Sequence, residues 1–223
     1  MKTAVIITAA GSSDRFNTNG VKKEFATLNG HSVLFNSVYP FTRLDYVSFI
    51  VVTYKKGTLS QTKEVLENLT EKKEFIFVQG GSTRRESVLN ALEKINEIHK
   101  DTDFVGIHDG ARPFVSESLI DRTFEKAFET GASAPVVNVR DTLVYMNEDS
   151  SFGSKVERDR VRAVQTPQVF RFSEILDCHR KADSSKLYFT DDTTVFTSCG
   201  KKVFPVEGDV RNIKITFAED LEK

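Results

Sequence analysis

Short apolar runs alternate with longer segments of helical period along most of this chain. The runs 4–8 and 47–54 are apolar on both faces of a strand, whereas 86–98 and 119–128 have the spacing of amphipathic helices. Strands of this kind, separated by helices, are typical of a parallel sheet with helices packed on both sides. The sequence therefore predicts an α/β protein with a doubly wound, mostly parallel sheet.

The same pattern gives approximate bounds for the other elements. Further strands are predicted at 74–79, 103–108, 201–208 and 212–217, and further helices at 33–41, 63–69, 173–182, 191–200 and from 218 onwards. In sheets of this type, ligands bind beyond the carboxyl ends of the strands. We therefore expect the loops that follow Ile7, Val78 and Ile107 to line one crevice.

Size and charge exclude several classes of partner. The chain has 223 residues, which suits a single domain over 1–223, and 31 basic against 32 acidic residues give a net charge of −1. No overall electrostatic field therefore favours a nucleic acid or an acidic membrane as partner.

Two further features indicate a cytoplasmic protein. No run of about 18 apolar residues and no signal-peptide pattern is seen. Cys178 and Cys199 lie 21 residues apart without a histidine cluster nearby. We interpret them as reduced thiols rather than as a disulfide or a zinc site.

The stretch at about 138–165 interrupts the α/β rhythm. It contains two strand-like halves around the turn sequence NEDSSFG and has no helical face. This pattern predicts a protruding β-hairpin arm. Because an isolated two-stranded ribbon is only marginally stable, the arm should cover the crevice or contact a second subunit.

The loop TAAGSSDRF, residues 8–16, has the composition of a phosphate cradle. Gly11 permits close approach of a ligand, and backbone N–H groups in a turn between strand and helix bind oxyanions with the help of the helix's positive end. A dinucleotide fingerprint would need glycine where Ser13 and Phe16 stand. The alternative is a capped turn with solvated charges.

Cations near this loop favour a triphosphate over a dinucleotide. Arg15 lies within it, and Lys22 and Lys23 follow shortly after. Two or three cations that converge on a backbone cradle suit a highly charged phosphate chain.

The segment QGGSTRRES combines a double-glycine turn with the start of a helix. Ser82 is the predicted N-cap. Arg84 and Arg85 lie in the first turn, where the helix dipole disfavours cations, and this cost suggests a functional role. For Arg85 we expect simple exposure to water instead.

The segment IHDGARPF ends a predicted buried strand. Asp109 stands where a carboxylate can hold Mg²⁺ while phosphate and water complete the ion's shell. Arg112 precedes a proline, which keeps it extended. His108 is interpreted as a packed, hydrogen-bonded residue rather than a general base.

Further cations lie in the second half of the chain. Arg140, Arg158 and Arg160 make the arm cationic, which suits an anionic ligand or protects an exposed ribbon from edge-to-edge pairing. Lys214 alternates with Ile213 and Ile215, so it faces either solvent or the crevice.

Taken together, these motifs resemble one family along nearly the whole chain and in the right order. The sequence is similar to 2-C-methyl-D-erythritol 4-phosphate cytidylyltransferases in AAGSSDR, KEF, GGSTRRESV, HDGARPF, VRDT, QTPQ and NIKIT. The resemblance implies a Rossmann-like nucleotidyltransferase that is homodimeric through its hairpin arms. It also implies transfer of a cytidylyl group from CTP to methylerythritol phosphate with Mg²⁺, and release of pyrophosphate.

The resemblance implies a role for each matching residue. The catalytic set is Arg15, Lys23, Arg158 and Lys214, with Arg158 coming from the other subunit. The nucleotide-binding set is Ala9, Ala10, Gly11, Ser12, Gly81, Ser82, Arg84, Ser87, Asp109 and Gly110. The sugar-phosphate set is Arg112, Thr142 and Thr166, and Asp109 also holds the metal.

Three positions depart from the family pattern. Ser13 stands where glycine is usual and Gly110 where alanine is usual, and a cradle made of backbone should tolerate both. Arg211 replaces an acidic or similar residue and is expected to add positive charge near the sugar phosphate. That charge leaves open whether another polyol phosphate is preferred, and the short last helix leaves open whether a C-terminal tail is dispensable.

Other functions remain open on the sequence. The nearest is a cytidylyltransferase for ribitol 5-phosphate, and a second is a non-catalytic nucleotide-binding module. An NAD(P)-dependent reductase is disfavoured, because the third glycine is missing and the second strand ends in VVTYKK without an acidic residue.

Overall fold

The computed structural model describes residues 1–16, 21–185 and 189–222. Within these residues the strands are β1 Thr3–Ala9, β2 Thr27–Leu28, β3 His31–Ser32, β4 Val47–Tyr54, β5 Glu74–Gln79, β6 Phe104–Asp109, β7 Ala132–Asn138, β8 Val144–Met146, β9 Phe152–Lys155, β10 Arg162–Val164, β11 Gln168–Arg171 and β12 Phe204–Glu207. The helices are α1 Val33–Thr42, α2 Leu59–Glu64, α3 Glu67–Thr70, α4 Arg84–Ile98, α5 Glu117–Thr130, α6 Phe172–Ser185 and α7 Asp192–Ser198, with short 3-10 turns at Lys23–Phe25, Arg158–Arg160 and Ala218–Glu222.

A mostly parallel sheet with strand order β10-β7-β11-β6-β1-β4-β5 forms the centre, and β12 pairs with β7. Strand β1 is parallel to both β4 and β6, and β5 is parallel to β4. The predicted α/β class is therefore confirmed. The sequence did not reveal β11, which runs antiparallel between β6 and β7.

Alternation along the central strands produces two apolar layers. On β1, Ala4 and Ile6 pack on one face of the sheet, against α4, α6 and α7. Val5 and Ile7 face the other way, toward α1 and α5. Because β1 is buried on both faces, it forms a rigid base for the loop that follows Ala9.

Side-chain caps begin four of the helices at defined positions. Ser32, Thr83, Ser116 and Asp191 each accept a hydrogen bond from the backbone N–H three residues later. These caps fix where α1, α4, α5 and α7 start, and α4 and α7 start at the sheet edge that carries the candidate site.

The predicted hairpin is present, but it is shorter than the sequence suggested. Strand β8 pairs with β9 in antiparallel register. The second half of the predicted arm instead contains β10, which pairs with β7 in the main sheet. The hairpin carries strongly exposed apolar side chains at Tyr145, Met146 and Phe152.

The C-terminal segment differs from the prediction. Residues 212–216 do not form a strand; the Ile215 N–H donates one backbone hydrogen bond to the Ala111 carbonyl instead of pairing along a ladder. The segment ends in the 3-10 turn at Ala218–Glu222. None of the helices in the described ranges has the length and apolar content needed to cross a membrane.

Candidate active site

A cavity of about 700 Å³ lies at the carboxyl ends of the central strands. The loops after β1, β5 and β6 line it, as predicted for one crevice. The predicted residues that line it are Ala10, Gly11, Ser12, Arg15, Lys23, Gly81, Ser82, Arg84, Ser87, Asp109 and Lys214. Sequence reasoning missed Thr8, Glu24, Lys55, Lys56, Gly80, Thr83 and Ala111 as lining residues.

Two predicted nucleotide-binding residues, Ala9 and Gly110, do not line the cavity and are packed behind the residues that do. Ala9 is buried in β1, where its N–H donates to the Thr53 hydroxyl. Gly110 packs tightly, since an added Cβ would lie 3.1 Å from the Leu34 side chain and 3.1 Å from the Thr8 carbonyl. The alanine that is usual in the family would therefore need a small shift of the neighbouring atoms here.

The first loop is held by a contact between Ser13 and Glu24. Ser13 adopts the left-handed region with φ of 61°, and its hydroxyl donates to a Glu24 carboxylate oxygen at 2.8 Å. Glu24 is only 3% exposed. A side chain at a position that favours glycine is thus compensated by a hydrogen bond to a buried charge.

No helix directly follows this loop within the described residues. The next regular element after Phe16 in the described ranges is the 3-10 turn that contains Lys23. The expectation that a helix's positive end assists the cradle therefore stays a prediction. Among the described residues, Arg15 and Lys23 bring positive charge to the cavity that Gly11 lines.

The second loop is packed closely against the first. An added Cβ on Gly80 would lie 2.3 Å from the Ala10 Cβ, so only glycine fits here. The Gly81 N–H donates to the Ser87 hydroxyl at 3.1 Å. This contact explains why Ser87 belongs to the turn although it lies within α4.

The N-cap of α4 is Thr83, and the prediction of Ser82 was wrong. The Thr83 hydroxyl accepts from the Glu86 N–H at 3.1 Å. Ser82 instead donates its own N–H and hydroxyl to the Glu86 carboxylate. The expected exposure of Arg85 is also not observed, since Arg85 is partly buried and engaged in a contact.

Three cations surround the Asp109 carboxylate. One oxygen lies 2.9 Å from the Lys214 ammonium and 3.5 Å from Arg112 Nε, and the other lies 3.3 Å from Arg84 Nε. Burial alone would raise the pKa of Asp109, but Arg84, Lys214 and Arg112 outweigh it and hold that pKa well below its ordinary value. Asp109 is therefore a carboxylate at every physiological pH.

Arg84 is shared between two carboxylates. Its Nη1 lies 2.8 Å from Asp192, whose other oxygen lies 3.1 Å from His179 Nε2. Asp192 and His179 are fully buried. Neither was predicted. Asp192 lies in DDTTVFTSCG, where nothing distinguishes a buried carboxylate from a helix cap.

His108 is a packed structural residue, as expected. It is fully buried, its Nδ1 lies 2.9 Å from the Thr166 hydroxyl, and its Nε2 lies 3.3 Å from the Arg112 carbonyl. Burial lowers the pKa of His108 to about 3. It is neutral at neutral pH and helps to position Thr166 and Arg112.

A second cavity of about 380 Å³ meets the first at Asp109. Arg84, Asp109 and Lys214 line both cavities, and Arg112 and Thr166 line only the smaller one. The side chains in the smaller cavity that sequence reasoning missed are Val164, Gln168, Thr190, Asp191, Thr193 and Thr194. The β11 strand and the start of α7 supply most of these.

Lys214 faces the crevice rather than solvent alone. The flanking Ile215 is fully buried and Ile213 packs beside it, while the ammonium of Lys214 reaches Asp109. Arg112 holds the same segment, because it donates to the Asn212 carbonyl at 2.7 Å.

The structure does not bring the two predicted arm residues to either cavity. Arg158 donates to the Thr142 hydroxyl at 3.3 Å, and both side chains are exposed beside the hairpin. Arg160 is also exposed and pairs with Glu157.

The expected effect of Arg211 on the sugar-phosphate site is not observed. Arg211 is 82% exposed and pairs with Asp209 at 2.8 Å, and it lines neither cavity. Its charge is compensated locally.

The sequence matches the family model described as 2-C-methyl-D-erythritol 4-phosphate cytidylyltransferase over residues 3–223. A protein of that name from Clostridium novyi is 38% identical over 221 residues, which cover 99% of this chain and 94% of that protein. Another from Caldanaerobacter subterraneus is 38% identical, with 99% and 96% covered.

Solved structures agree with these relatives. The 4-diphosphocytidyl-2C-methyl-D-erythritol synthase of Anaerococcus prevotii superposes with a TM-score of 0.84 at 28% identity, covering 99% of this chain and 93% of that one. The 2-C-methyl-D-erythritol 4-phosphate cytidylyltransferase of Thermus thermophilus superposes with a TM-score of 0.80 at 32% identity, with 100% and 96% covered. The resemblance inferred from the motifs is confirmed over the whole chain, and the protein belongs to the 2-C-methyl-D-erythritol 4-phosphate cytidylyltransferase family of nucleotidyltransferases.

Proposed function

We propose that the chain transfers a cytidylyl group from CTP to 2-C-methyl-D-erythritol 4-phosphate, with release of pyrophosphate. Family membership supports the reaction. The roles of the residues are assigned from one observation. Two cavities meet at Asp109, and Arg84, Arg112 and Lys214 contact its carboxylate there. A reaction between two anions needs two adjoining sites with fixed cations at their junction.

The wider cavity is the proposed CTP site. Gly11 and its neighbours offer backbone N–H groups to the triphosphate, and Arg15 and Lys23 add positive charge. The turn at Gly81, which is braced by Ser87 and lines the same cavity, is the proposed site for the cytosine ring. Burial lowers the pKa of Lys23, but the nearby Glu24 carboxylate partly opposes this shift.

The smaller cavity is the proposed sugar-phosphate site. Arg112, Thr166 and Lys214 line it and suit a phosphate group and hydroxyls. In this proposal, Thr142 and Arg158 of a partner subunit complete the site, since within one chain they lie away from it.

Chemistry in this arrangement needs no protein nucleophile. A phosphate oxygen of the acceptor attacks the α-phosphorus of CTP in line, a new P–O bond forms, and the bond to the β-phosphate bridging oxygen breaks. Lys23, Arg15 and Lys214 reduce the repulsion between the anions and stabilise the charge that develops. Removal of one such cation typically costs about 10²- to 10³-fold in rate.

Asp109 is the proposed metal carboxylate. It is ionised and lies between the two cavities, which suits Mg²⁺, an ion that is often held by one carboxylate together with substrate phosphates. No group of three or more His, Cys, Asp or Glu side chains in the described part of the chain is arranged for a metal. Phosphate oxygens and water would therefore supply most of the shell, and the ion would add charge neutralisation at the triphosphate.

The proposed assembly is a cytoplasmic homodimer joined through the hairpin. Tyr145, Met146 and Phe152 are 64%, 57% and 78% exposed on a ribbon of only two strands. Apolar surface of this kind on a marginal element is consistent with burial against a second copy.

Pyrophosphate release on mixing with CTP and Mg²⁺ tests the proposal. We expect release with methylerythritol phosphate and little with ribitol 5-phosphate, because the chain belongs to the methylerythritol phosphate family and Arg211, which is paired with Asp209, lines neither cavity. A Lys23→Ala variant should lose at least about 10²-fold in turnover with folding retained. Preference for ribitol 5-phosphate would support the alternative transferase, and CTP binding without any release would support a non-catalytic module.

A further inference from the structure

A pair of lysines that sequence reasoning did not assign lines the wide cavity. Lys55 and Lys56 follow β4, which lies between the strands that precede the two nucleotide loops. Both side chains are exposed. The strand order therefore places two more cations between the cradle and the glycine turn.

The turn that carries these lysines is well fixed. The Thr58 N–H and the Thr58 hydroxyl both donate to the Lys55 carbonyl, at 2.9 and 2.8 Å. Gly57 adopts φ of 86°, which closes the turn without strain. On the other side, the Tyr54 carbonyl accepts from the Gly80 N–H. The backbone at Lys55 is thus held at a constant distance from the glycine turn.

Charge is balanced differently among the cations that line the cavity. Arg84 and Lys214 are paired with Asp109. Within the described ranges, neither Lys55 nor Lys56 has a carboxylate within ion-pair distance. Burial and the neighbouring Lys55 ammonium both lower the pKa of Lys22, and the Glu24 carboxylate partly opposes this shift. Lys55 and Lys56 therefore bring positive charge to the cavity without a paired carboxylate among the described residues, whereas Lys22 and Lys23 have Glu24 nearby.

The charge on CTP determines which part of it can satisfy these lysines. Cytosine and ribose are uncharged at neutral pH, whereas the triphosphate carries its largest charge on the terminal phosphate. We propose that Lys55 and Lys56 bind the β- and γ-phosphates of the nucleotide, and then the pyrophosphate that leaves. This assignment rests on the proposed function and adds a subsite for the leaving group.

Binding measurements without the acceptor test the assignment. Calorimetry with CTP, CMP and pyrophosphate, each with Mg²⁺, is compared for the wild-type protein and the Lys55→Ala/Lys56→Ala variant. Two exposed phosphate contacts correspond to roughly a tenfold loss in affinity, so we expect that loss for CTP and pyrophosphate. CMP affinity should change less than about twofold, since CMP lacks the terminal phosphates.

A matched control separates local contacts from overall charge. Lys100 is exposed and follows α4 at the opposite edge of the sheet, so Lys100→Ala removes a charge outside the cavity. It should bind all three ligands as the wild-type protein does. If the double variant is unstable, single Lys55→Gln and Lys56→Gln variants provide the same test. Each should show a smaller loss of affinity, confined to CTP and pyrophosphate.

Three results would overturn the assignment. They are unchanged affinity of the double variant for CTP, an equal loss for CMP and CTP, and an equal loss caused by Lys100→Ala. Turnover separates this assignment from the proposed function. If the wild-type protein releases pyrophosphate and the double variant binds CTP with unchanged affinity, only the lysine assignment is contradicted. If the wild-type protein releases no pyrophosphate, the proposed function is contradicted.

Discussion

Arg84 lies 2.8 Å from the buried carboxylate of Asp192 and 3.3 Å from that of Asp109, so it joins α7 to the strand end at the centre of the site. Asp192 in turn contacts His179 on α6. Arg84 lines both cavities, whereas Asp192 and His179 line neither. These two residues thus orient the Arg84 guanidinium from the side away from the cavities.

Replacement of Asp192 by asparagine should destabilise the fold. The change removes one of the two carboxylates that pair with Arg84 and the carboxylate that contacts His179, and breaking a buried pair typically costs about 3 kcal/mol. Chemical denaturation measures this loss. Glu93→Gln is the control, because it breaks an exposed pair with Arg180 and should cost less than about 1 kcal/mol. Equal losses in the two variants would show that the buried pair has no special role.

Two substitutions at Ser13 should separate backbone strain from hydrogen bonding. Ser13→Gly removes the strain of φ at 61° together with the bond to Glu24, whereas Ser13→Ala removes the bond and keeps the strain. We expect the alanine variant to be less stable than the glycine variant by about 1 kcal/mol. Denaturation midpoints measured side by side test this, and equal midpoints would argue against a strained loop.

Acid should weaken the fold through His108. Its folded pKa of about 3 lies below the ordinary value of 6.5, so between these values the unfolded chain binds more protons and stability falls as pH falls. In metal-free buffer this one site should cost about 2 kcal/mol between pH 7 and pH 5. Asp109, whose pKa is depressed, adds its loss only at lower pH.

His108→Gln keeps a side chain able to hydrogen-bond to Thr166 but removes the titrating ring. The variant should therefore lose less stability than the wild-type protein between pH 7 and pH 5. Parallel pH dependence of the two proteins would mean that His108 is not the group responsible.

Mixed dimers test whether Arg158 acts across subunits. Arg158→Ala and Lys23→Ala proteins should each be nearly inactive, but in a mixed dimer one of the two sites keeps both residues. With random exchange about a quarter of all sites regain function, measured as pyrophosphate release. Mixed dimers that form without any recovery would place Arg158 in its own subunit's site.

The fold class and the wide cavity could be predicted because their causes are local in sequence. Apolar runs such as 4–8 indicate strands that are buried on both faces, and Gly11 and Gly81 indicate turns at strand ends. Parallel pairing then brings those ends together whatever the connecting helices contain.

Features set by long-range packing could not be predicted in this way. Asp192 resembles any acidic residue at a helix start, and only tertiary structure places it against Arg84. Strand β11 is too short and mixed in character to be separated from the arm. The sequence around Lys55 indicates only that no acidic residue ends the second strand, because the proximity of Lys55 to Lys22 depends on the strand order.

A crystal structure with CTP and Mg²⁺ bound tests the central claim most directly. The account predicts the triphosphate over Gly11 between Arg15 and Lys23, the cytosine ring at the Gly81 turn, and the α-phosphorus open toward the smaller cavity. Nucleotide bound elsewhere, with the loop after β1 free of phosphate, would contradict it.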